Sequence, residues 1–197
     1  MRASLSHRRG IVARVGMLGG IGIAAALGAG RLCEPPTRVP PPDFDSTAIA
    51  CNADEAGERL LVSGRVIDAS GNPIARASVT LYNTDATGLY NPANSPTRVP
   101  RIQATVHTDR EGRFQILTVL PGAYPNSDDP RHIHVTTTAE GYELTWSTIW
   151  FEGDPRLTPK LRAEGSKDHI TQIAMPTRDK GVAMIEHEVR MREGDDD

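Results

Sequence analysis

The stretch Leu60-Leu61-Val62-Ser63-Gly64-Arg65-Val66-Ile67-Asp68, followed by Ala69-Ser70-Gly71-Asn72-Pro73, decides the fold class. Its first nine residues mix apolar and polar side chains at the period of a β-strand. The glycine, asparagine and proline that follow are typical of a tight turn. A short strand that ends in such a turn indicates a protein built from β-strands rather than helices.

The same pattern of short strands and turns continues along the chain. Residues 109–113 are interpreted as a hairpin turn, and residues 153–180 as an irregular excursion with a short helical turn. No long amphipathic helix is evident. The sequence therefore predicts an all-β protein, an antiparallel β-sandwich with irregular loops and little helix. Its further strands are predicted at 77–82, 101–107, 114–119, 132–138, 144–151 and 184–191.

Length, composition and charge narrow the class of protein. A chain of 197 residues that is 38% hydrophobic and 24% charged is typical of a globular protein. Without the four arginines of residues 1–30, the chain has 18 basic residues against 25 acidic ones, a formal charge of −7. Binding to a phosphate backbone depends on positive charge, so this balance argues against nucleic acid as a partner.

The first 30 residues resemble an export signal. Arg2, Arg8 and Arg9 provide a positive head, and residues 15–30 are uncharged and rich in glycine and alanine. We expect export to the periplasm or the extracellular space, and the paired arginines indicate the twin-arginine route. An uncleaved membrane anchor is the alternative, whereas the mature domain is expected to have no membrane partner.

The rest of the chain divides by composition. Residues 31–56 are predicted to be a proline-rich, low-order arm, 57–192 the globular domain, and 193–197 a solvated acidic tail. The two cysteines, Cys33 and Cys51, fall in the arm. In an oxidising compartment they are expected to form a disulfide, and two unpaired cysteines in a flexible arm are the alternative.

Two histidines and two tyrosines form the candidate site. His132 and His134 alternate with Ile133 on a predicted strand, so both imidazoles face one side of it, about 7 Å apart at Cα. Tyr124 follows a Pro-Gly turn upstream, and Tyr90 closes an earlier loop. Two phenols and two imidazoles suit ferric iron, because phenolate oxygens offset its charge. Surface histidines and tyrosines packed on the edge of the core are the alternatives.

The remaining histidines and tryptophans are assigned structural roles. Trp146 and Trp150 alternate onto one strand face, where we expect core packing rather than the lining of a pocket. His107, His169 and His187 have no partner pattern and are interpreted as structural or solvated.

At these residues the sequence resembles the intradiol ring-cleavage dioxygenases, the family that includes the catechol and protocatechuate dioxygenases. The resemblance runs from about residue 57 to residue 154, with its elements in the order that the family has. Gly64-Arg65-Val66 with Gly71-Asn72-Pro73 resembles the opening hairpin of the family. The more specific matches are Asp85-Ala86-Thr87-Gly88-Leu89-Tyr90, Val119-Leu120-Pro121-Gly122-Ala123-Tyr124-Pro125, Pro130-Arg131-His132-Ile133-His134-Val135 and Trp150-Phe151-Glu152-Gly153-Asp154.

The resemblance implies an activity and a set of roles. Tyr90, Tyr124, His132 and His134 would bind Fe(III), and Tyr124 would be the ligand that the substrate displaces before it takes a catechol proton. The partners would be a small aromatic diol and O2. The enzyme, an oxidoreductase, would open the ring between its two hydroxylated carbons to give a muconate-type dicarboxylate. Arg131 would stabilise developing negative charge as a catalytic residue, with a loop-bracing role as the alternative.

The sequence departs from the family pattern at two positions. Asp129 stands where an arginine is expected three residues before the first histidine, and Thr148 stands where a glutamine is expected in a later strand. The acidic pair Asp128-Asp129 disfavours a carboxylated aromatic such as protocatechuate. One alternative is therefore a relative that binds metal but is catalytically silent. The other is an exported, non-catalytic β-sandwich binding module of the carboxypeptidase-regulatory or transthyretin-like type.

Overall fold

The computed structural model describes residues 45–167 and 170–194. Over these residues the chain forms two five-stranded sheets and one short helix, which confirms the predicted all-β sandwich. The first sheet has the strand order β1-β5-β2-β10-β9, and the second has the order β4-β3-β6-β7-β8. The elements are β1 (Thr47–Ile49), β2 (Arg59–Ile67), β3 (Ser78–Asn83), β4 (Gln103–His107), β5 (Arg113–Val119), β6 (His132–Thr138), β7 (Thr145–Phe151), α1 (Pro159–Gly165), β8 (Thr171–Ala174), β9 (Thr177–Asp179) and β10 (Val182–Arg190).

The core lies between the two sheets because the central strands alternate buried and more exposed residues. Leu60 and Val62 of β2 are fully buried on one sheet, and Val79, Leu81 and Ile133 are fully buried on the other. Each such side chain contributes about 1.5–3 kcal/mol when it leaves water. The predicted period of two is therefore the feature that brings the sheets together.

The turns that follow β2 and β4 lead from one sheet to the other. Strands β2 and β3 lie in different sheets, and so do β4 and β5. The hairpin predicted at 109–113 is therefore wrong as a strand pairing, although the turn exists. In the stretch 64–73, Ile67 and Pro73 form an antiparallel bridge, but β2 does not pair with β3. The turn at 109–113 packs against β2, where the Val66 amide donates to the Gly112 carbonyl at 2.8 Å. Gly112 has a φ of 74°, and a Cβ there would lie 2.5 Å from the Val66 oxygen.

The sheets are mixed rather than purely antiparallel. β10 runs parallel to β2, β1 runs parallel to β5, and β8 runs parallel to β7. β10 pairs with β2 over eight residues, from Ala183 with Leu60 to Arg190 with Ile67. Parallel pairs need long connections, and residues 152–170 supply the one between β7 and β8.

Two predicted irregular regions contain regular structure. The excursion at 153–180 holds α1, β8 and β9, and α1 begins after Thr158, whose Oγ1 accepts from the Leu161 amide at 3.2 Å. The predicted arm contributes β1, so ordered structure starts before residue 57. No helix in the described part of the chain is long and apolar enough to cross a membrane.

Several predictions concern residues outside the described ranges. The export signal at 1–30, Cys33 and most of the acidic tail are not among the described residues, so these remain predictions. Cys51 is described, and its sulfur accepts a hydrogen bond from the Arg59 guanidinium at 3.3 Å.

A buried histidine joins the two sheets through polar contacts. His187 of β10 is 3% exposed. Its Nε2 lies 2.9 Å from Ser147 Oγ of β7, and its Nδ1 lies 2.6 Å from Gln172 Oε1 of β8. An imidazole that donates through Nδ1 and accepts at Nε2 satisfies both contacts in its neutral form. Burial lowers its pKa from 6.5 to about 4, so the structural role expected for this residue involves a proton-sensitive contact.

The neutral state of His187 predicts an acid-sensitive fold. Because the folded protein binds this proton less readily than the unfolded chain, the stabilisation is present above pH 6.5 and is lost as the pH falls to about 4. We expect His187 to account for about 3 kcal/mol of that loss. Free energies of unfolding by urea, measured from pH 7 to pH 4, should fall less steeply for His187→Gln than for the wild type. The matched control His107→Gln, at an exposed position, should keep the wild-type slope. Equal slopes for all three proteins would contradict the assignment.

Candidate metal centre

A buried asparagine ties together the strand ends from which the two tyrosine loops leave. The tyrosine loops are residues 84–90, which follow β3, and residues 120–125, which follow β5. Asn83 is fully buried, and its amide donates to the Val119 carbonyl at 3.2 Å. Its Oδ1 accepts from Thr118 Oγ1 at 2.8 Å. Since β3 and β5 belong to opposite sheets, this contact holds the two loops at the same edge of the sandwich.

The tyrosine loops then pack backbone against backbone. Thr84 Oγ1 donates to the Gly122 carbonyl at 2.8 Å, and the Gly122 amide donates to the Asp85 carbonyl, also at 2.8 Å. Gly88 has a φ of 88°, and a Cβ there would lie only 2.1 Å from the Ala123 oxygen. Glycine is required at this approach because any side chain would push the loops apart.

The Asp85 carboxylate shapes the first tyrosine loop from within. Its Oδ1 accepts from the Thr87 amide at 2.8 Å and from the Leu89 amide at 3.1 Å, and its Oδ2 accepts from Arg101 at 2.8 Å. Burial opposes ionisation of this carboxyl, but these hydrogen bonds outweigh it and lower its pKa. The charged carboxylate therefore holds the turn that delivers Tyr90.

The two histidines project from the outer face of β6, as the alternation predicted. Ile133 between them is fully buried in the core. His132 Nδ1 lies 2.7 Å from the Pro130 carbonyl, to which it donates, so the lone pair of this imidazole is on Nε2. A backbone partner of this kind orients a metal-binding histidine in many proteins.

The structure brings all four predicted ligand side chains into one cluster. Tyr90 Oη lies 2.5 Å from Tyr124 Oη, which lies 3.0 Å from His132 Nε2. His132 Nε2 lies 3.1 Å from His134 Nε2. We call these four side chains the Tyr-His cluster. In the described part of the chain no three or more His, Cys, Asp or Glu side chains form a potential metal site, so the phenols are essential to this one.

The pKa shifts of His134 and Tyr90 both favour the uncharged side chain. Burial, together with the charge of His132, lowers the pKa of His134 to about 4, so its imidazole is neutral at neutral pH. Burial and the neighbouring phenol of Tyr124 raise the pKa of Tyr90 above its ordinary value. Two imidazole nitrogens facing each other at 3.1 Å place a lone pair toward the cluster centre, where a cation would replace the phenol protons.

A cavity of about 290 Å³ opens beside the cluster. Tyr124 borders it, whereas Tyr90 does not belong to its lining. The expectation that both tryptophans pack in the core is wrong, because Trp150 lines this cavity and Trp146 is 54% exposed. The lining residues are Tyr124, Asp129, His132, His134, Thr148, Trp150 and Thr171.

Arg131 lies beside the cluster but turns toward a different partner. Its Nε donates to Asp154 Oδ2 at 2.7 Å, and its backbone amide donates to the same oxygen at 3.1 Å. Burial opposes ionisation of Asp154, but the hydrogen bonds from Arg131 and from the Arg156 amide outweigh it and lower its pKa. Arg131 lines a neighbouring cavity of about 420 Å³ rather than the one beside the cluster. The contact braces the entry to β6, and a catalytic role for Arg131 stays a prediction.

Two residues that contact the cluster were not assigned from the sequence. Tyr82 stacks on His134 with ring centroids 4.8 Å apart, because the two residues are paired across β3 and β6. Arg156 donates from Nη1 to the Tyr124 carbonyl at 2.8 Å. No local sequence pattern predicts either contact, because each joins segments that are distant in the chain.

Comparison with known sequences gives an independent result. A family model described as Dioxygenase matches residues 36–192. The chain is 32% identical to the protocatechuate 3,4-dioxygenase beta chain of Burkholderia cepacia over 161 residues, which cover 73% of this chain and 68% of that protein. It is 30% identical to the 6-chlorohydroxyquinol 1,2-dioxygenase of Cupriavidus pinatubonensis, over 51% of this chain and 42% of that protein. The chain thus spans about two thirds of the first relative and less than half of the second.

Solved structures share the fold. Catechol 1,2-dioxygenase from Acinetobacter sp. superposes with a TM-score of 0.62 at 20% identity, covering 75% of this chain and 57% of that one. The dioxygenase domain of a dioxygenase carbohydrate-binding protein fusion from Streptomyces sp. SirexAA-E superposes with a TM-score of 0.60 at 20% identity. That comparison covers 76% of this chain and 91% of the other. At these identities the superpositions establish the sandwich and its topology.

The buried amide of Asn83 predicts a specific weakness in this fold. Asn83→Ala leaves the Thr118 hydroxyl and the Val119 carbonyl without their partner, and we expect the free energy of unfolding to fall by about 2–3 kcal/mol. Urea unfolding followed by tryptophan fluorescence measures the change. Asn94→Ala, at an exposed loop position, is the matched control and should stay within about 0.5 kcal/mol of wild type. A similar loss of stability in both variants would rule out a specific role for the Asn83 hydrogen bonds.

Proposed function

The chain belongs to the intradiol ring-cleavage dioxygenases, and we propose that it is a non-haem Fe(III) dioxygenase that cleaves a catechol-type ring between its two hydroxylated carbons with O2. The observation that carries the proposal is the convergence of two phenols and two imidazoles within 3.1 Å contacts beside a cavity. Neither a binding module nor a structural role accounts for that cluster. The family match likewise favours the dioxygenase over the transthyretin-like alternative.

The donor set suits ferric iron. Tyr90, Tyr124, His132 and His134 would hold the ion, with the two phenolates offsetting its charge. When bound, the iron supplies a Lewis acid that stabilises a doubly deprotonated catechol and makes its ring reactive toward O2. Tyr82 and Pro130 keep the imidazoles in place through the ring stack on His134 and the hydrogen bond to His132.

Tyr124 is the tyrosine placed to exchange with a substrate. Tyr124 borders the cavity. Tyr90 does not line it, and its Oη lies 2.5 Å from Tyr124 Oη. Tyr124 Oη would take a proton from a catechol hydroxyl as the substrate enters. The Arg156 hydrogen bond to the Tyr124 carbonyl would hold the backbone while the side chain moves.

The residues that line the cavity bear on catalytic turnover separately from metal binding. Asp129 and Thr148 line the cavity at the positions where the resemblance implied an arginine and a glutamine. A positive side chain near the substrate stabilises developing negative charge, and this chain has none in the described lining. A catalytically silent relative therefore stays an alternative, which consumption of O2 during catechol addition would distinguish from the enzyme.

The visible absorption spectrum is the direct test of the proposal. Protein loaded with iron should show a broad tyrosinate-to-iron charge-transfer band, because Tyr90 and Tyr124 converge at the cluster. The band should move to lower energy when catechol is added without oxygen, since a catecholate is a stronger electron donor than a phenolate. A protein that remains colourless after iron loading would overturn the assignment.

Replacement of one ligand should remove the metal. His134→Ala deletes an imidazole whose Nε2 faces the cluster, and we expect the bound iron, measured by elemental analysis after dialysis, to fall more than tenfold. His107→Ala at an exposed position of β4 is the matched control and should keep its iron. Full iron in the His134→Ala protein would exclude His134 as a ligand.

A further inference from the structure

A carboxylate lines the cavity beside the Tyr-His cluster. Among the described residues of that lining, Asp129 is the one Asp, Glu, Lys or Arg side chain. We propose that Asp129 makes the site selective for catechols whose ring bears a positively charged side chain, such as a primary ammonium group. This inference rests on the proposed function and specifies its substrate class.

The local chain holds Asp129 in place. Ser127 Oγ lies 2.6 Å from Asp129 Oδ2, to which it donates, and it accepts from the Asp129 amide at 3.0 Å. Pro130 follows, and its carbonyl is bound to the imidazole of His132 at 2.7 Å. The exposed carboxylate thus lies three residues before His132, on a segment that carries these hydrogen bonds.

An indole side chain also lines the same cavity. Trp150 is paired with His132 across β6 and β7, so its indole lies next to the cluster. Gly165 of α1 packs closely against that indole, and a Cβ at this glycine would lie 2.7 Å from the ring. A cation that reaches the cavity meets both a carboxylate and an indole side chain. Thr148 and Thr171 add neutral hydroxyl-bearing side chains.

None of the three nearby arginines, Arg131, Arg156 and Arg162, lines this cavity. Arg131 is paired with Asp154 at 2.7 Å, and Arg162 is paired with Glu152 at 2.7 Å. Arg156 binds the Tyr124 carbonyl and, with Arg131 and Asp154, lines the neighbouring cavity. A substrate carboxylate would therefore meet repulsion from Asp129 with no arginine in the described lining to pair with it.

Three catechols of matched shape test the proposal. They are 4-(2-aminoethyl)catechol, 4-ethylcatechol and 3,4-dihydroxyphenylacetate, which carry a positive, a neutral and a negative side chain. Dissociation constants are measured without oxygen, by calorimetry and by titration of the visible band, on the full iron-loaded chain. At an effective dielectric constant of about 40–80 for this exposed carboxylate, a unit charge roughly 6–8 Å away changes affinity about threefold to tenfold. We expect the amine to bind that much more tightly than 4-ethylcatechol, and the acid that much more weakly.

The variant Asp129→Asn isolates the charge. Asparagine keeps an oxygen for Ser127 but removes the negative charge. The dissociation constants of the three catechols should therefore come to within about twofold of one another. Asp128→Asn is the matched control, because Asp128 is exposed and does not line the cavity, and it should keep the wild-type order. In wild type the preference should shrink between about 0.05 M and about 0.5 M salt because ions screen it.

The outcomes separate the inference from the proposed function. Binding of 4-ethylcatechol with a shifted band, but equal affinity for the amine and the acid, overturns the selectivity while the dioxygenase assignment stands. The selectivity is also overturned, with the dioxygenase assignment intact, if Asp129→Asn keeps the full preference. If none of the three catechols binds or shifts the band, the proposed function itself fails.

Discussion

The buried amide of Asn83 is the contact on which the candidate site depends. A fully buried amide has to satisfy its donors and acceptor within the protein, and here the partners are the end of its own strand and the end of β5 in the opposite sheet. The two strand ends therefore cannot separate without exposing or orphaning polar groups. Both tyrosine loops start from this point, and the close approach at Gly88 and Gly122 brings their phenols together.

Under the proposed function, the cluster would hold a cation. Phenol oxygens 2.5 Å apart and imidazole nitrogens 3.1 Å apart concentrate lone pairs in one place, and burial keeps His134 neutral. The Pro130 carbonyl selects the tautomer of His132 that presents its lone pair to the centre. Backbone and packing contacts of the protein itself therefore hold these four side chains together.

Membership of the family accounts for the four side chains of the cluster but not for the residues that line the cavity beside it. The ligand residues follow the family pattern, while Asp129 and Thr148 occupy positions where the resemblance implied an arginine and a glutamine. A shared fold carries different chemistry when the residues around the reacting atoms differ. The electrostatic character of this cavity is consequently a property of this chain, and the arginines nearby are engaged with Asp154, Glu152 and the Tyr124 carbonyl.

The sequence by itself determined seven of the ten described strands and the shared face of His132 and His134, because alternation along a strand is a local property of the backbone. It also indicated both tyrosines, through their turns and the resemblance. Only the tertiary structure decided that β4 and β5 lie in different sheets and that Tyr82 stacks on His134. Likewise the 2.5 Å contact between Tyr90 and Tyr124 spans 34 residues of chain. Sheet assignment and cross-strand register depend on which faces bury the most apolar surface together, and no local pattern records that sum.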